Sequence, residues 1–386
     1  MRIVVAGGGT AGHISPILAA VDELKRRDKS AEVLYVGQKV GMEADMARSA
    51  GIDFKGINAG KYRRASHASF IEKLGDTKNL ALNVRDVGRS VSGLAASLRI
   101  LKSYNPDVVF CKGGFVALPV GIAAKMLKIP LIIHESDATP GLGTKVLGRW
   151  ADTIAVGFPP ELYEALPAGR VIFTGNPVRN EIVHDKETRS GSIEHFFGPG
   201  SGKGLPVVLV IGGSQGAVAI NDAVVESAKH LTEFSRIIHI TGNYDYDRVV
   251  SEVISRKLDK ETYVIREFLT AEDMAKAYKA SDLVISRAGA NAITELGAVK
   301  KPVILIPNQL MAAHQVDNAV RLAEAGAVEL MREDLLTAVN LTEAVKEIIE
   351  SKGLQNKLVE ELSKVYVPDS TSRLVDLIVK AARVSK

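Results

Sequence analysis

Short apolar runs rich in Val and Ile recur along this chain, each followed by a longer stretch with helical spacing. Residues 2–6, 33–36, 108–110, 131–134, 153–156 and 171–174 read as strands in the first half. Residues 207–211, 237–241, 263–266, 283–286 and 303–306 do so in the second. Unbroken apolar runs fit strands buried on both faces, and their alternation with helices predicts parallel sheets in an α/β fold. At the end of the chain, Leu374, Leu377, Ile378 and Ala381 share one face of a helix over 370–386. On pattern alone that helix can finish the second half or cross back to the first.

Two of the predicted strands end in matching glycine loops. The first runs into Gly7-Gly8-Gly9-Thr10-Ala11-Gly12-His13, and residues 207–211 run into Gly212-Gly213-Ser214-Gln215-Gly216-Ala217. Small residues let a backbone approach a phosphate, and a helix N-terminus offers unpaired N–H groups and partial positive charge. One such unit in each half predicts two nucleotide-binding-like domains, Rossmann-like in plan, facing a cleft. The break between them is placed near Asn176-Pro177-Val178-Arg179. Gly7, Gly9 and Gly12 also fit the dinucleotide fingerprint, but the second strand ends Tyr35-Val36-Gly37-Gln38-Lys39, without the acid that would hold a ribose. His13, at a helix entrance, is either a capping residue or a general base, since imidazole titrates near neutrality.

Further polar and small-residue loops follow other strands. Cys111-Lys112-Gly113-Gly114-Phe115 offers a tight turn or a second anion site, with Cys111 read as a small buried residue. Ser286-Arg287-Ala288-Gly289 opens a helix whose lone acid is Glu295, and His314-Gln315-Val316-Asp317-Asn318 follows the last strong strand. All lie after strand C-termini, where open parallel sheets bind ligands.

At 386 residues the chain accommodates two domains, and 46% hydrophobic with 24% charged residues is a globular composition. A net charge of +4 is too small to suggest a nucleic-acid partner, and one cysteine excludes an internal disulfide or a multi-cysteine metal site. No secretory signal and no run near the ~18 apolar residues of a membrane span is present, so membrane contact is expected to be peripheral. The segment 61–102 is different in character. Nine basic residues, Lys61, Arg63 and Arg64 among them, stand against three acidic ones, a net +6 that exceeds the whole chain's charge. It reads either as a solvated helix face or as a surface for anionic lipid headgroups.

Eight segments, taken in order and spacing, carry a resemblance: residues 8–13, 60–64, 113–115, 134–136, 175–179, 212–217, 287–295 and 314–319. Together they resemble the bacterial N-acetylglucosaminyltransferases of peptidoglycan synthesis, the MurG type, over essentially the whole chain. The resemblance implies a glycosyltransferase-B fold with an acceptor- and membrane-facing domain at 1–178, completed by a helix at about 368–386, and a donor domain at 179–367. It implies transfer of N-acetylglucosamine from UDP-N-acetylglucosamine to the C4 hydroxyl of lipid I, the undecaprenyl-pyrophosphate-linked muramyl peptide. The expected setting is the cytoplasmic face of the cell membrane, on an anionic surface, with no cofactor and no required metal. In this pattern Ser214 and Gln215 meet the diphosphate, Glu295 accepts from the ribose, the Phe268-Leu269 backbone reads the uracil, Gln315 binds sugar hydroxyls and Arg179 helps hold the nucleotide. Thr10, Ala11 and Gly12 approach the donor sugar. Gly113 and Gly114, with Lys61, Arg63 and Arg64, take the acceptor pyrophosphate. Two positions depart from the pattern: Ala11 stands where many relatives have glycine, and Asp137 where many have asparagine. The base is His13 or Asp137.

Overall fold

Strand formation follows the Val/Ile runs, and the computed structural model arranges them in two wholly parallel sheets. It describes residues 1–8, 11–60, 77–184, 186–202, 204–213, 216–308 and 313–384. The first sheet contains β1 (Arg2–Ala6), β2 (Glu32–Gln38), β3 (Asp53–Ile57), β4 (Val108–Cys111), β5 (Leu131–Glu135), β6 (Thr153–Val156) and β7 (Val171–Phe173), in the order β3-β2-β1-β4-β5-β6-β7. The second contains β8 (Val207–Ile211), β9 (Arg236–Ile240), β10 (Tyr263–Arg266), β11 (Leu283–Ser286), β12 (Val303–Leu305) and β13 (Glu329–Leu330), in the order β10-β9-β8-β11-β12-β13. Each is the strand order of a Rossmann-like, doubly wound sheet.

The chain divides into two units, Met1–Pro177 with Asp369–Lys386, and Val178–Pro368. In the first, β1, β4, β5 and β6 are buried almost without exception. The helix Ser370–Val384 places Leu374, Val375, Ile378 and Ala382 in the same core as Ile3, Val5, Ile17 and Phe110. Arg27 Nη1 meets Asp376 Oδ1 at 2.6 Å and fastens that helix to Ala11–Arg27. The second unit packs apolar clusters on both faces of its sheet, one with Val207, Leu209 and Val284, the other with Val208, Val210 and Ile285. Neighbouring strand residues thus point to opposite faces and both faces are covered, as parallel sheets require.

An aspartate just before a strand sets register at three places. Arg2 N–H donates to Asp107 Oδ2 at 2.8 Å while Asp107 N–H donates to the Arg2 carbonyl at 2.8 Å. Leu131 and Asp152 make the same exchange at 2.8 and 2.9 Å, and Val207 and Asp282 at 2.9 and 2.7 Å. The first and last of these join β1 to β4 and β8 to β11, the equivalent pairs of the two sheets.

Candidate active site

In each unit the strand order reverses between the first strand and the fourth, and the loops leaving these two strands border the crevice where open α/β sheets bind ligands. In the first unit Gly7 and Gly8 leave β1, and the helix Ala11–Arg27 opens with Ala11, Gly12 and His13. Beyond β4, Gly113 and Gly114 have φ of 53° and 75°, a conformation side chains resist. A Cβ on Gly113 would stand 3.7 Å from His13 Cδ2, and one on Gly114 3.6 Å from His13 Nδ1 and 2.8 Å from the Gly8 carbonyl. The half-buried His13 ring therefore lies across the Gly113-Gly114 turn, and the structure brings these three predicted residues together. Thr10, Lys61, Arg63 and Arg64 lie outside the described residues.

The loop after β5 is organised by Glu135. Its Oε1 accepts from the Asp137 N–H at 3.1 Å and its Oε2 from the Gly141 N–H at 2.9 Å. The Tyr163 hydroxyl donates to the Asp137 carbonyl at 2.9 Å, which leaves a half-buried side chain for Asp137 on a loop braced from two sides. His134 Nε2 lies 3.1 Å from the Gly175 carbonyl and so carries the proton. Burial, and then the nearby Lys112 charge, hold this imidazole neutral well below its usual range. His134 is thus a structural histidine.

Sequence reasoning missed two charged residues under these loops. Lys112 is 2% exposed; burial lowers its pKa against the pull of Glu135 and Asp137. Glu43, at the start of the helix Glu43–Ser49, is 1% exposed, and its Oε1 and Oε2 fill the places where side chains on Gly8 and Gly41 would begin. An acid does therefore follow the second strand, but it is spent bracing the first glycine loop. The only sequence signal was its position between two glycine-bearing turns. Cys111 is buried and its thiol is pushed up by that burial, as expected of a packing residue.

In the second unit the loop after β8 is pinned from the side. Gly216 has φ of 81°, and the Thr241 carbonyl beyond β9 fills the space a Cβ would need. The helix Val218–Leu231 begins two residues later, so its N-terminal N–H groups face the carboxyl end of the sheet. Ser214 and Gln215 lie outside the described residues. Glu295, on the helix Ala290–Val299, is held from two directions. Arg179 Nε and Nη2 reach Glu295 Oε1 and Oε2 at 3.3 and 3.4 Å, and the Tyr278 hydroxyl donates to Oε2 at 3.2 Å. This trio joins two predicted residues to one the pattern did not single out. Arg287 pairs with Glu333 at 2.8 Å and donates to the Ile306 carbonyl, fixing the turn before Ala288 and Gly289. Asn318 donates to the Ala288 carbonyl at 3.4 Å. One turn before it, the Gln315 side-chain oxygen is buried without a partner among the described residues. Phe268 is 59% exposed and Leu269 is buried.

Two depressions in the first unit, of about 680 and 580 Å³, lie elsewhere. One is lined by Met1, Asp107 and Asp376 at the amino end of the sheet, the other by Asp53, Phe54 and Tyr104 at its edge. His13, Gly113, Gly114, Glu295 and Gln315 line neither hollow.

Comparison with known proteins adds to this geometry. Residues 3–156 match the model of the glycosyltransferase family 28 N-terminal domain and residues 207–370 that of the family 28 C-terminal domain. A relative from Bacillus pumilus is 36% identical over 98% of this chain and 98% of its own length, and one from Bacillus licheniformis is 35% identical over the same shares. Both are named UDP-N-acetylglucosamine–N-acetylmuramyl-(pentapeptide) pyrophosphoryl-undecaprenol N-acetylglucosamine transferase. The chain belongs to the MurG family of glycosyltransferases. The solved Acinetobacter baumannii MurG superposes with a TM-score of 0.70 at 24% identity, covering 98% of this chain and 99% of its own. A UDP-GlcNAc 2-epimerase from Neisseria meningitidis, solved with UDP-GlcNAc bound, gives 0.67 at 16% identity over 98% of this chain and 100% of its own. These likenesses speak to the fold. Seven of the eight segments quoted above, in their described residues, fall on strand ends, strand-end loops and helix starts in the two units, while residues 61–64 lie outside the described residues.

Proposed function

We propose that this chain transfers N-acetylglucosamine from UDP-N-acetylglucosamine to the C4 hydroxyl of the N-acetylmuramyl group of lipid I, giving lipid II for peptidoglycan synthesis. The observation that carries the reading is the match, at 34–36% identity over 98–99% of the chain, to relatives named for this transfer. The donor occupies the second unit, with Glu295 on the ribose, the Phe268-Leu269 backbone on the uracil, Gln315 on the sugar, Ser214 and Gln215 on the diphosphate and Arg179 beside them. The buried, unpartnered oxygen of Gln315 supports its part in this, being an acceptor with capacity to spare. The acceptor pyrophosphate meets the Gly113-Gly114 turn, with Lys61, Arg63 and Arg64; Thr10, Ala11 and Gly12 approach the donor sugar.

The chemistry is an inverting displacement. The C4 oxygen bonds to the anomeric carbon as the bond to the UDP oxygen breaks, and that electron pair leaves on the diphosphate. N–H groups at the start of Val218–Leu231 and in the preceding loop stabilise the departing charge. The hydroxyl proton passes to His13, which lies against the acceptor turn; Asp137 is the alternative base. The chain works as a peripheral protein on the cytoplasmic face of the cell membrane, on an anionic surface, and serves cell shape and division through wall synthesis. No helix among the described residues is long and apolar enough to cross a membrane, and on the helix Thr77–Tyr104 Val91 stands 63% exposed between the exposed Arg89 and Arg99.

The deciding test offers the purified protein labelled UDP-N-acetylglucosamine with a lipid I analogue, and a diacylglycerol acceptor in parallel. Label on the lipid I analogue is expected. Label on diacylglycerol alone would retain the fold and overturn the pathway, and tight UDP binding without transfer would leave a nucleotide-sugar-binding protein.

A further inference from the structure

We infer that Tyr278 is a positioning residue for the donor: its hydroxyl sets the direction in which Glu295 presents its carboxylate to the ribose. The inference rests on the assignment of Glu295 to the ribose made above. A glutamate carboxyl rotates broadly about its last torsion, so a helix that places Glu295 does not by itself aim it. Aim has to come from partners. Tyr278 is 2% exposed, on the helix Ala271–Ala280, and packs in the core that includes Ile293 and Leu296 from Glu295's own helix. Its rigid phenol can thus deliver a hydroxyl to only one place, and that place is Glu295 Oε2, 3.2 Å away. Arg179 is the looser partner, on a longer side chain that is 24% exposed, with contacts of 3.3 and 3.4 Å.

The count of acceptor positions gives this arrangement its consequence. An ionised carboxylate offers about four lone-pair positions, two on each oxygen. Oε2 receives Tyr278 and Arg179, whereas, among the described residues, Oε1 receives Arg179 alone. The open position is on Oε1, and the fixed hydroxyl of Tyr278 on Oε2 keeps it there. A donor hydroxyl of a ribose then meets an acceptor already turned toward it, without the cost of ordering a free carboxylate. Burial, and then the charge of Glu295, raise the Tyr278 phenol well above its usual range, so it remains a donor throughout the working pH range.

The test measures dissociation constants of UDP, 2′-deoxy-UDP and 3′-deoxy-UDP by calorimetry for the wild-type protein, Tyr278→Phe and Glu295→Gln, with steady-state kinetics beside them. The wild-type protein is expected to prefer UDP to at least one deoxy analogue. Tyr278→Phe keeps the ring and loses only the hydroxyl. It should shrink that preference by about threefold to tenfold, raising the KM for donor with kcat at saturation kept. A merely structural tyrosine would lower thermal stability and leave the ratio of UDP to deoxy-UDP binding untouched; that result overturns the inference. If the wild-type protein does not distinguish the sugars, or if Glu295→Gln keeps the full preference, the ribose assignment of Glu295 falls and the role of Tyr278 falls with it.

Discussion

Asp107 and Arg2 exchange two hydrogen bonds, one through the aspartate side chain and one through its backbone, at the mouth of β4 and β1. A one-residue slip in pairing would turn every side chain of a strand to the wrong face, so a two-point clamp at the first residue has leverage over the sheet. Asp107→Ala is expected to cost about 1–3 kcal/mol, because the Arg2 N–H loses its acceptor in a part-buried site. Asp107→Asn, whose amide oxygen still accepts, should recover most of that. Urea unfolding midpoints of the three proteins check this; equal losses for Ala and Asn would place the effect in the charge.

Glu43 fills the space that a side chain at Gly8 would enter. Gly8→Ala should therefore strain the first glycine loop by about 1–3 kcal/mol and reduce turnover, while UDP binding on the other unit persists. Adding Glu43→Ala to Gly8→Ala should restore part of the thermal stability. No restoration in the double variant would mean the methyl is resisted by something other than the carboxylate.

His13→Ala should depress kcat roughly 10²–10⁴-fold with donor affinity little changed, the range for loss of a positioned general base. The pH dependence of kcat/KM for the lipid acceptor should lose its acidic limb in the same variant. A wild-type rate removes His13 from the mechanism and directs attention to Asp137.

Glu295→Ala should weaken donor binding by about 1.5–3 kcal/mol, the worth of a hydrogen bond to a charged acceptor. Calorimetry with UDP reads it directly. Unchanged affinity would contradict the ribose assignment.

His239 gives the second unit an acid-sensitive point. Its Nδ1 lies 2.7 Å from the Tyr263 hydroxyl and its Nε2 3.0 Å from Asn221 Oδ1, an arrangement for a neutral ring. Burial lowers its pKa from 6.5 to about 3. The unfolded chain then binds a proton the folded chain refuses. Its stabilising contribution is complete above pH 6.5 and is lost as pH falls toward 3, by about 1.4 kcal/mol per pH unit. Melting temperatures at pH 7 and pH 5 should fall less in His239→Gln than in the wild-type protein; equal falls would assign the acid sensitivity to other groups.

The sheets were legible in the sequence because a parallel strand buried on both faces is a bare Val/Ile run: the expected residues 153–156, 207–211, 263–266 and 283–286 coincide with β6, β8, β10 and β11. Two strands escaped. Asp53–Ile57 is a half-exposed edge strand whose outward positions carry Asp53 and Lys55, and Glu329–Leu330 is only two residues long. The sequence pattern puts Leu374, Leu377, Ile378 and Ala381 on one face of the C-terminal helix; Leu374 and Ile378 are buried, but the buried line continues through Val375 and Ala382, with Leu377 and Ala381 at its margin. The glycine loops announced themselves through composition. Glu43 and Tyr278 did not, since a buried carboxylate or phenol earns its place from a loop or helix distant in sequence, and no local pattern records that meeting.

The helix Ser370–Val384 belongs to the unit that begins at Met1. A ribosome makes that unit in two instalments, with the whole of Val178–Pro368 emerging between them. Domains usually fold in the order they are made. Here the later one is complete first, while the nascent amino-terminal sheet waits with the seat of Leu374, Val375, Ile378 and Ala382 uncovered until the helix Ser370–Val384 has left the exit tunnel.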